Sequence, residues 1–168
     1  MTAQYPELTW IAEARKYVGL KEIKGSKHNP LFLSWLKKLK AWWANDEIAW
    51  CGLFIAICLY EAKVAYPKHW YRALDYLNYG TRLVQPAYGC IAVKSRIGGG
   101  HVCFVVGQTK EGKLVCLGGN QNDMVCYAIY DKKDFEAFMW YGRTSQPAQG
   151  RYNLPILSDV KATSITET

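Results

Sequence analysis

The run from Cys51 to Val64, "CGLFIAICLYEAKV", constrains the fold more than any other stretch of the chain. It is long, mostly apolar, and contains neither glycine nor proline after Gly52. A helix with apolar residues on most of its sides has to be covered on all of them. The segment before it, "NDEIAW", is a largely polar loop. The run therefore predicts a buried central helix that begins at Cys51 and is surrounded by other layers.

The rest of the first half is also helical in pattern. Thr9 can cap a helix over 10–18, which Gly19 would end. Asn29-Pro30 supplies a cap followed by proline at the first helical position, before "LFLSWLKKLK". A further short helix is predicted over 69–80, closed by a glycine.

The second half changes to short segments rich in valine, isoleucine, tyrosine and cysteine. Turn signals such as "RIGGG", "TKEGK" and "NQND" separate them. This pattern predicts a meander of antiparallel strands over 90–94, 101–108, 113–119, 124–130 and 138–142. Helices followed by strands indicate an α+β fold with one packed sheet. We expect a single catalytic domain over 1–143 and a C-terminal tail or extended wrap over 144–168.

Composition is that of a globular protein. The 168 residues are 50% hydrophobic and 14% aromatic, and the formal net charge is +7. A basic surface favours an anionic partner such as nucleic acid, membrane headgroups or a cell envelope, or it only keeps the protein soluble. We find no nucleic-acid-binding signature and no stretch long enough to span a bilayer. No targeting segment is visible, so we expect a cytoplasmic protein, or one that leaves by a route its sequence does not encode.

The cysteine spacing predicts thiols rather than a metal site or disulfides. None of the six cysteines forms a CxxC pair, so neither zinc nor any other cofactor is expected. Without a secretory signal, free thiols are the default state. Four cysteines lie inside apolar runs, where this residue acts as a small hydrophobe: Cys58, Cys103, Cys116 and Cys126.

Cys51 differs from these because it stands at a helix start. The unpaired N–H groups and the positive end of the helix dipole both favour the thiolate, which is the nucleophilic form. Gly52 next to it allows a backbone or a substrate to approach closely. The alternative is a buried cysteine that happens to begin a helix.

A thiolate nucleophile requires a base, and three histidines are candidates. His28 lies in the charged loop "KGSKHNP" and is most simply solvated, whereas His69 precedes an aromatic helix start and could line a cleft. His101 follows "GGG" and opens the apolar strand "VCFVV". Such a position would hold a catalytic ring rigidly, although a histidine at a strand edge can also be purely structural.

Asn120 is the candidate for orienting the imidazole of His101. It follows Gly118-Gly119 at the exit of the next strand, and antiparallel neighbours place the start of one strand beside the end of the next. His101 and Asn120 should therefore lie close together. The alternative is a simple turn residue, since "NQND" has turn chemistry.

Taken in order, "AWCGLFIAICLYEA", "GGGHVCFVVG" and "LGGNQND" resemble the CHAP and NlpC-type branch of the papain-like cysteine peptidases. Within it, the chain is similar to small phage-encoded peptidoglycan hydrolases over about Ile11 to Gly142, where "ARKYVGLKEIKG", "PKHWYRALDYLNYG" and "PAYGCIAV" also match. The resemblance implies a papain-like fold, with Cys51 as nucleophile, His101 as base and Asn120 as third residue. Many relatives carry a glutamate where this chain has Gly118, which leaves Asn120 as the one orienting candidate and Gln121 as its reserve.

The resemblance also implies a function. We expect an endolysin-like murein hydrolase, either a muramoyl-alanine amidase or a peptide endopeptidase, acting as a monomer on peptidoglycan after release from the host cytoplasm. Alternatives are an injected antibacterial amidase effector, an acyltransferase or deamidase acting on protein, and a binding module with a vestigial triad. Candidate substrate-binding residues, several of which could equally be core or loop residues, are Asp46, Glu47, Trp50, Trp70, Tyr71 and Gln121.

Overall fold

The computed structural model describes residues 6–22, 30–41 and 50–157. Three α-helices lie in these ranges: α1 (Thr9–Arg15), α2 (Pro30–Lys38) and α3 (Cys51–Glu61). Six strands follow: β1 (Thr81–Leu83), β2 (Ile91–Arg96), β3 (Gly99–Gln108), β4 (Leu114–Gln121), β5 (Met124–Tyr130) and β6 (Ala137–Trp140). Short 3-10 helices span Ala73–Asn78, Lys132–Asp134 and Gln149–Tyr152. The predicted helix over 69–80 is thus a 3-10 helix in its central part.

The strands form one antiparallel sheet in the order β1-β6-β2-β3-β4-β5. The predicted meander is correct for β2 to β5 and wrong for the last strand, which lies between β1 and β2. A strand pattern does not specify which sheet edge it joins, because both edges offer the same backbone groups. Phe135 and Phe138 help to direct β6 across the sheet, since Phe135 packs on the rings of Tyr130 and Phe138. The α+β class predicted from the sequence is confirmed.

Helix α3 is the buried central helix that the apolar run predicted. Its first nine residues, Cys51 to Leu59, are all buried. The helix packs on β3, β4 and α1, and the ring of Phe54 lies 6.5 Å from that of Phe104 in β3. Because side chains alternate along a strand, Phe104 and Val102 face α3, whereas His101 and Cys103 project from the other face of the sheet.

A second apolar layer covers that other face. Tyr130, Phe135 and Phe138 form a chain of ring contacts there, and His101 joins it with its ring 5.9 Å from that of Tyr130. Strand β4 is consequently buried at every position. The sheet is covered on both faces, which explains why its strands are nearly continuous in apolar residues.

The segment after β6 packs against this body as far as residue 157. The Arg151 guanidinium donates to the carbonyl of Pro6, and Ile156 forms a parallel bridge with Gln108 at the end of β3. Leu154 is buried. Residues 144–157 therefore lie against the rest of the described chain and include the short 3-10 helix Gln149–Tyr152.

Candidate active site

The first turn of α3 lies over the exit of β4. Cys51 begins the helix and is 3% exposed. Its flanking side chains, Trp50 and Phe54, pack so closely on Gly119 that a Cβ there would lie 2.7 Å from each of them. Since β3 and β4 are antiparallel, the last residues of β4 lie at the end of the sheet where β3 begins, and His101 is the third residue of β3. The helix start and the two strand ends therefore meet at one end of the sheet.

Gly52 allows the segment around residue 70 to close on this helix start. A Cβ at Gly52 would collide with the carbonyl oxygen of Trp70. The carbonyl of Gly52 itself accepts a hydrogen bond of 2.8 Å from the buried Tyr76 hydroxyl. The close approach expected beside Cys51 is thus that of another part of the backbone.

Gly52→Ala should lower the free energy of unfolding by about 1–3 kcal/mol, because the new methyl group overpacks a rigid carbonyl. This loss exceeds the gain of up to about 1 kcal/mol that alanine brings to a helix. Thermal or urea unfolding measures the change. Gly99→Ala is the matched control, since a Cβ at Gly99 meets nothing within 4 Å. Equal stability of the two variants would contradict the predicted contact.

The imidazole of His101 forms a hydrogen bond with the side chain of Gln121. Its ring is 1% exposed, and its Nε2 lies 3.0 Å from Oε1 of Gln121, which is itself fully buried. Gln121 Nε2 donates to the carbonyl of Cys126 at 2.7 Å, and the Tyr130 hydroxyl donates to Gln121 Oε1 at 3.1 Å. A carbonyl oxygen can only accept, so the amide nitrogen must face Cys126 and the amide oxygen must face His101.

This orientation of the amide decides the tautomer of His101. An amide oxygen has no proton to give, so the hydrogen bond requires the proton to be on Nε2 of the imidazole. In the neutral ring Nδ1 is then the acceptor. A cysteine–histidine pair needs such an acceptor nitrogen to take the thiol proton.

A β-bulge places Gln121 where a regular strand would present Asn120. The pairing of β4 with β5 shifts between Gly118 and Gln121, and Asn120 adopts a left-handed backbone with φ of 58°. In a regular strand, the side chains of residues 118 and 120 would point to the same face. The bulge adds one residue to β4, so the side chain of residue 121 takes that direction instead. Asparagine tolerates this backbone better than most residues, so "GGNQ" did carry a signal for the bulge.

Asn120 is buried beside this pair, and its contact with His101 remains a prediction. Gly118 leaves the room that the Gln121 amide uses. A Cβ at Gly118 would lie 2.7 Å from Gln121 Oε1 and 2.9 Å from Cβ of Cys103. The contact with His101 that the structure shows is thus made by Gln121, which the sequence offered as the reserve orienting residue.

Four other thiols are poor nucleophiles. Burial raises the pKa of Cys58 and Cys126, and raises that of Cys90 to about 12. Burial likewise raises the pKa of Cys103; the Cys116 thiol adds to this rise, while a hydrogen bond with His101 opposes it. These thiols stay protonated at neutral pH, as expected of cysteines that act as small hydrophobes. None of the six cysteines forms a disulfide.

The remaining candidates fall into three groups. Trp50 and Trp70 are 0% and 4% exposed, which favours a place in the core over one in the wall of a cleft. The His69 side chain is about half exposed, and its Nδ1 lies 3.9 Å from the Asp75 carboxylate. Three further candidates lie outside the described ranges: Asp46, Glu47 and His28.

Within the described ranges, no three His, Cys, Asp or Glu side chains are grouped so that they could hold a metal ion. No helix in those ranges has the length and apolar character needed to cross a bilayer.

Comparisons of this chain with protein-family models, with curated proteins and with solved structures found no match.

Proposed function

We propose that this protein is a cysteine amidohydrolase that cleaves an amide bond in the stem peptide of bacterial peptidoglycan. The observation that carries the proposal is the buried His101–Gln121 hydrogen bond at the end of the sheet where α3 begins with Cys51. A histidine with a fixed tautomer, at the end of the sheet where a helix begins with a cysteine, supplies the two groups that thiol hydrolases combine. The motif resemblance to the CHAP and NlpC-type enzymes adds the papain-like fold to the proposal.

In the proposed mechanism, Nδ1 of His101 takes the proton of the Cys51 thiol. The thiolate attacks the amide carbonyl, and the backbone N–H groups at the start of α3 stabilise the oxyanion. The His101 imidazolium then protonates the departing amine, which leaves a thioester on Cys51. His101 next removes a proton from water, and the resulting attack releases the acid and restores the thiol.

The proposal sets a geometric requirement on the two side chains. His101 projects from the sheet face that carries Cys103, whereas α3 packs on the face that carries Phe104. The sulfur and the imidazole must therefore meet around the ends of β3 and β4 rather than across the sheet. The close packing of Trp50 on Gly119 brings the first turn of α3 to that end.

The charge of the chain fits a bacterial envelope as the substrate. Peptidoglycan and its attached polymers carry carboxylates and phosphates, and a protein of net charge +7 is attracted to them, although salt at physiological concentration screens the attraction beyond about 8 Å. The cleaved bond would be the muramoyl-alanine amide or a peptide bond of the stem or bridge.

Digestion of purified peptidoglycan tests the function and identifies the bond. Mass spectrometry of the soluble fragments should show new amine and carboxyl ends at one type of amide. Free muramoyl groups would indicate an amidase, and shortened stem peptides an endopeptidase. If peptidoglycan stays intact while a protein amide is hydrolysed or transferred, the acyltransferase or deamidase alternative replaces this proposal.

Asn120→Gly should retain partial activity, reduced by about 10- to 100-fold, because Gln121 still holds His101. Glycine keeps the left-handed backbone of the bulge, so this variant removes the amide without adding strain. Asn120→Ala is the comparison, and it should also lose about 1–2 kcal/mol of stability. Rates on peptidoglycan and thermal unfolding separate the two effects. A folded but inactive Asn120→Gly enzyme would give Asn120 a direct role in the reaction.

A further inference from the structure

We propose that one end of the sheet is a docking surface for an anionic phospholipid bilayer. This tip surface lies at the end of the sheet where β3 begins. It consists of three exposed aliphatic side chains and the three arginines that precede them in the chain: Leu74, Val84, Ile97, Arg72, Arg82 and Arg96. The inference goes beyond the proposed function and does not depend on it, because binding to a bilayer requires no catalysis.

Ile97 forms the tip of the hairpin between β2 and β3. Only Ile97 and Gly98 separate the last residue of β2 from the first residue of β3. Gly98 supplies the positive φ, of 84°, that the second central position of a type II turn requires. Small and polar residues dominate such turns, so a β-branched aliphatic residue is unusual there. Among the described residues, nothing lies within 4 Å of a Cβ added at Gly98 or at Gly99, so the tip projects away from the protein.

Val84 and Leu74 expose aliphatic surface at the same end of the sheet. Strands β1 and β2 both pair antiparallel with β6, so they run in the same direction and end at the same end of the sheet. Val84 directly follows β1. Leu74 lies beside the hairpin, because its Cδ2 would be 2.9 Å from a Cβ at Gly100. The three aliphatic side chains therefore project around one end of the sheet.

Their exposure exceeds what single surface residues usually show. Val84 and Ile97 are the most exposed large hydrophobic side chains in the described ranges, at 98% and 105% of their reference areas, and Leu74 is 37% exposed. One exposed aliphatic side chain needs no explanation, whereas several at one end of a protein indicate an interaction site. Since the fold does not require these residues to be apolar, we infer that a partner does.

An arginine precedes each of these aliphatic residues by one or two positions. The segments are "RAL" at 72–74, "RLV" at 82–84 and "RI" at 96–97. A guanidinium group forms paired, charge-assisted hydrogen bonds with phosphate oxygens. Each apolar projection of the tip surface is therefore accompanied by a group that binds the phosphate of a lipid headgroup.

The local charge is positive even when the nearby carboxylates are included. The segments 72–84 and 94–100 carry four cations, Lys94 being the fourth, and one carboxylate, Asp75. Asp75 accepts hydrogen bonds from the backbone N–H of His69 and from the amide of Asn78. Glu136 at this end of the sheet adds a second carboxylate. Four cations against two carboxylates favour an anionic surface as the partner.

The shape and chemistry of the tip surface favour a bilayer over a glycan or a folded protein. Glycans stack on flat aromatic rings, whereas these projections are aliphatic. A folded protein partner needs a continuous, closely packed contact, whereas these side chains project from three separate segments. Lipids rearrange around each projection, so that apolar side chains enter the boundary between headgroups and acyl chains while arginines bind the phosphates. Docking would hold the end of the sheet with the candidate active site at the bilayer.

Flotation of the full chain with lipid vesicles tests the docking at physiological salt. Vesicles with about one third phosphatidylglycerol should bind the protein at least about tenfold more tightly than vesicles of phosphatidylcholine alone. The double variant Val84→Ser, Ile97→Ser should bind the anionic vesicles about tenfold or more weakly, because two aliphatic side chains no longer leave water. Ile156→Ser is the matched control, since Ile156 is 60% exposed and pairs with Gln108 at the other end of β3. Wild-type affinity in the double variant would overturn the inference.

Arginine variants test the second half of the surface. Arg82→Gln and Arg96→Gln should each weaken binding to anionic vesicles about fivefold, the effect of one cation near a charged membrane. Lys110→Gln is the control, because Lys110 lies in the turn between β3 and β4, at the opposite end of the sheet. Thermal unfolding shows whether each variant is folded. An equal loss in Lys110→Gln would mean a general effect of net charge, and the assigned surface would be wrong.

Purified peptidoglycan, which contains no lipid, separates this inference from the proposed function. The double variant Val84→Ser, Ile97→Ser should cleave it at the wild-type rate. If the double variant instead loses binding to sedimented peptidoglycan and wild-type protein binds no vesicles, the partner is the cell-wall polymer and the inference is wrong. If wild-type protein binds anionic vesicles through these tips but cleaves no amide of peptidoglycan, the docking surface stands and the proposed function is wrong.

Discussion

Cys51→Ala should abolish peptidoglycan cleavage while leaving the fold intact. The expected loss is on the order of 10³-fold or more, the effect of removing a nucleophile that acts together with its base. Alanine suits a helix and removes only a sulfur atom from a residue that is 3% exposed, so the helix should persist. The measurement is the initial rate of fragment release, with circular dichroism and thermal unfolding as the check on folding.

Two matched cysteine variants make this result specific. Cys58→Ala removes a thiol seven residues later in the same helix, and Cys103→Ala removes the thiol that His101 contacts on the sheet. Both should keep activity within about tenfold of wild type, because each loses only packing or one weak hydrogen bond. A dead Cys103→Ala beside an active Cys51→Ala would reassign the nucleophile to the other face of the sheet.

His101→Ala should reduce kcat by about 10²- to 10⁴-fold, the usual contribution of a general acid–base group. The thiol of Cys51 would then have no base, and the departing amine no acid. Because His101 is 1% exposed, removing its ring also leaves a cavity, and the acceptor Gln121 Oε1 keeps only one of its two donors, the Tyr130 hydroxyl. Activity should therefore be measured at a temperature at which the variant is shown to be folded.

His69→Ala is the control for this substitution. The His69 side chain is about half exposed, and the hydrogen bond that ties the segment to Asp75 uses the backbone N–H of His69, which the variant keeps. Its activity should match that of wild type. If His69→Ala is inactive and His101→Ala is active, the base lies on the segment around residue 70 and the proposed pair is wrong.

Much of the fold followed from local pattern. The apolar run that begins at Cys51 could only be a helix covered on all sides, and the structure buries its first nine residues. The segments rich in valine, isoleucine, tyrosine and cysteine became β2 to β5 in chain order. Such features depend on period and turn chemistry, which neighbouring residues determine. The position of β6 between β1 and β2 depends on pairing with strands far earlier in the chain and on the contact of Trp140 with the ring of Trp10, and no local pattern contains these.

The candidate site divides in the same way. The order of Cys51, His101 and Asn120 along the chain, with the helix start and strand ends that carry them, was readable from residue types. The identity of the residue that holds His101 was not, because it depends on a shift of one residue in β4. A single left-handed residue at Asn120 reverses which side chain faces the ring, and pairing with β5 stabilises that conformation.

The sequence by itself thus determined an α+β chain with a buried helix that starts at a cysteine and a histidine at the opening of a core strand. Only the tertiary structure decided that Gln121 holds that histidine, that Tyr130 and Cys126 fix the amide, and that Gly118 leaves room for it. The physical reason is the range of the interactions involved. Helix and strand formation depend on residues close in the chain, whereas the direction of one hydrogen bond in a buried site depends on every polar atom that the fold brings around it.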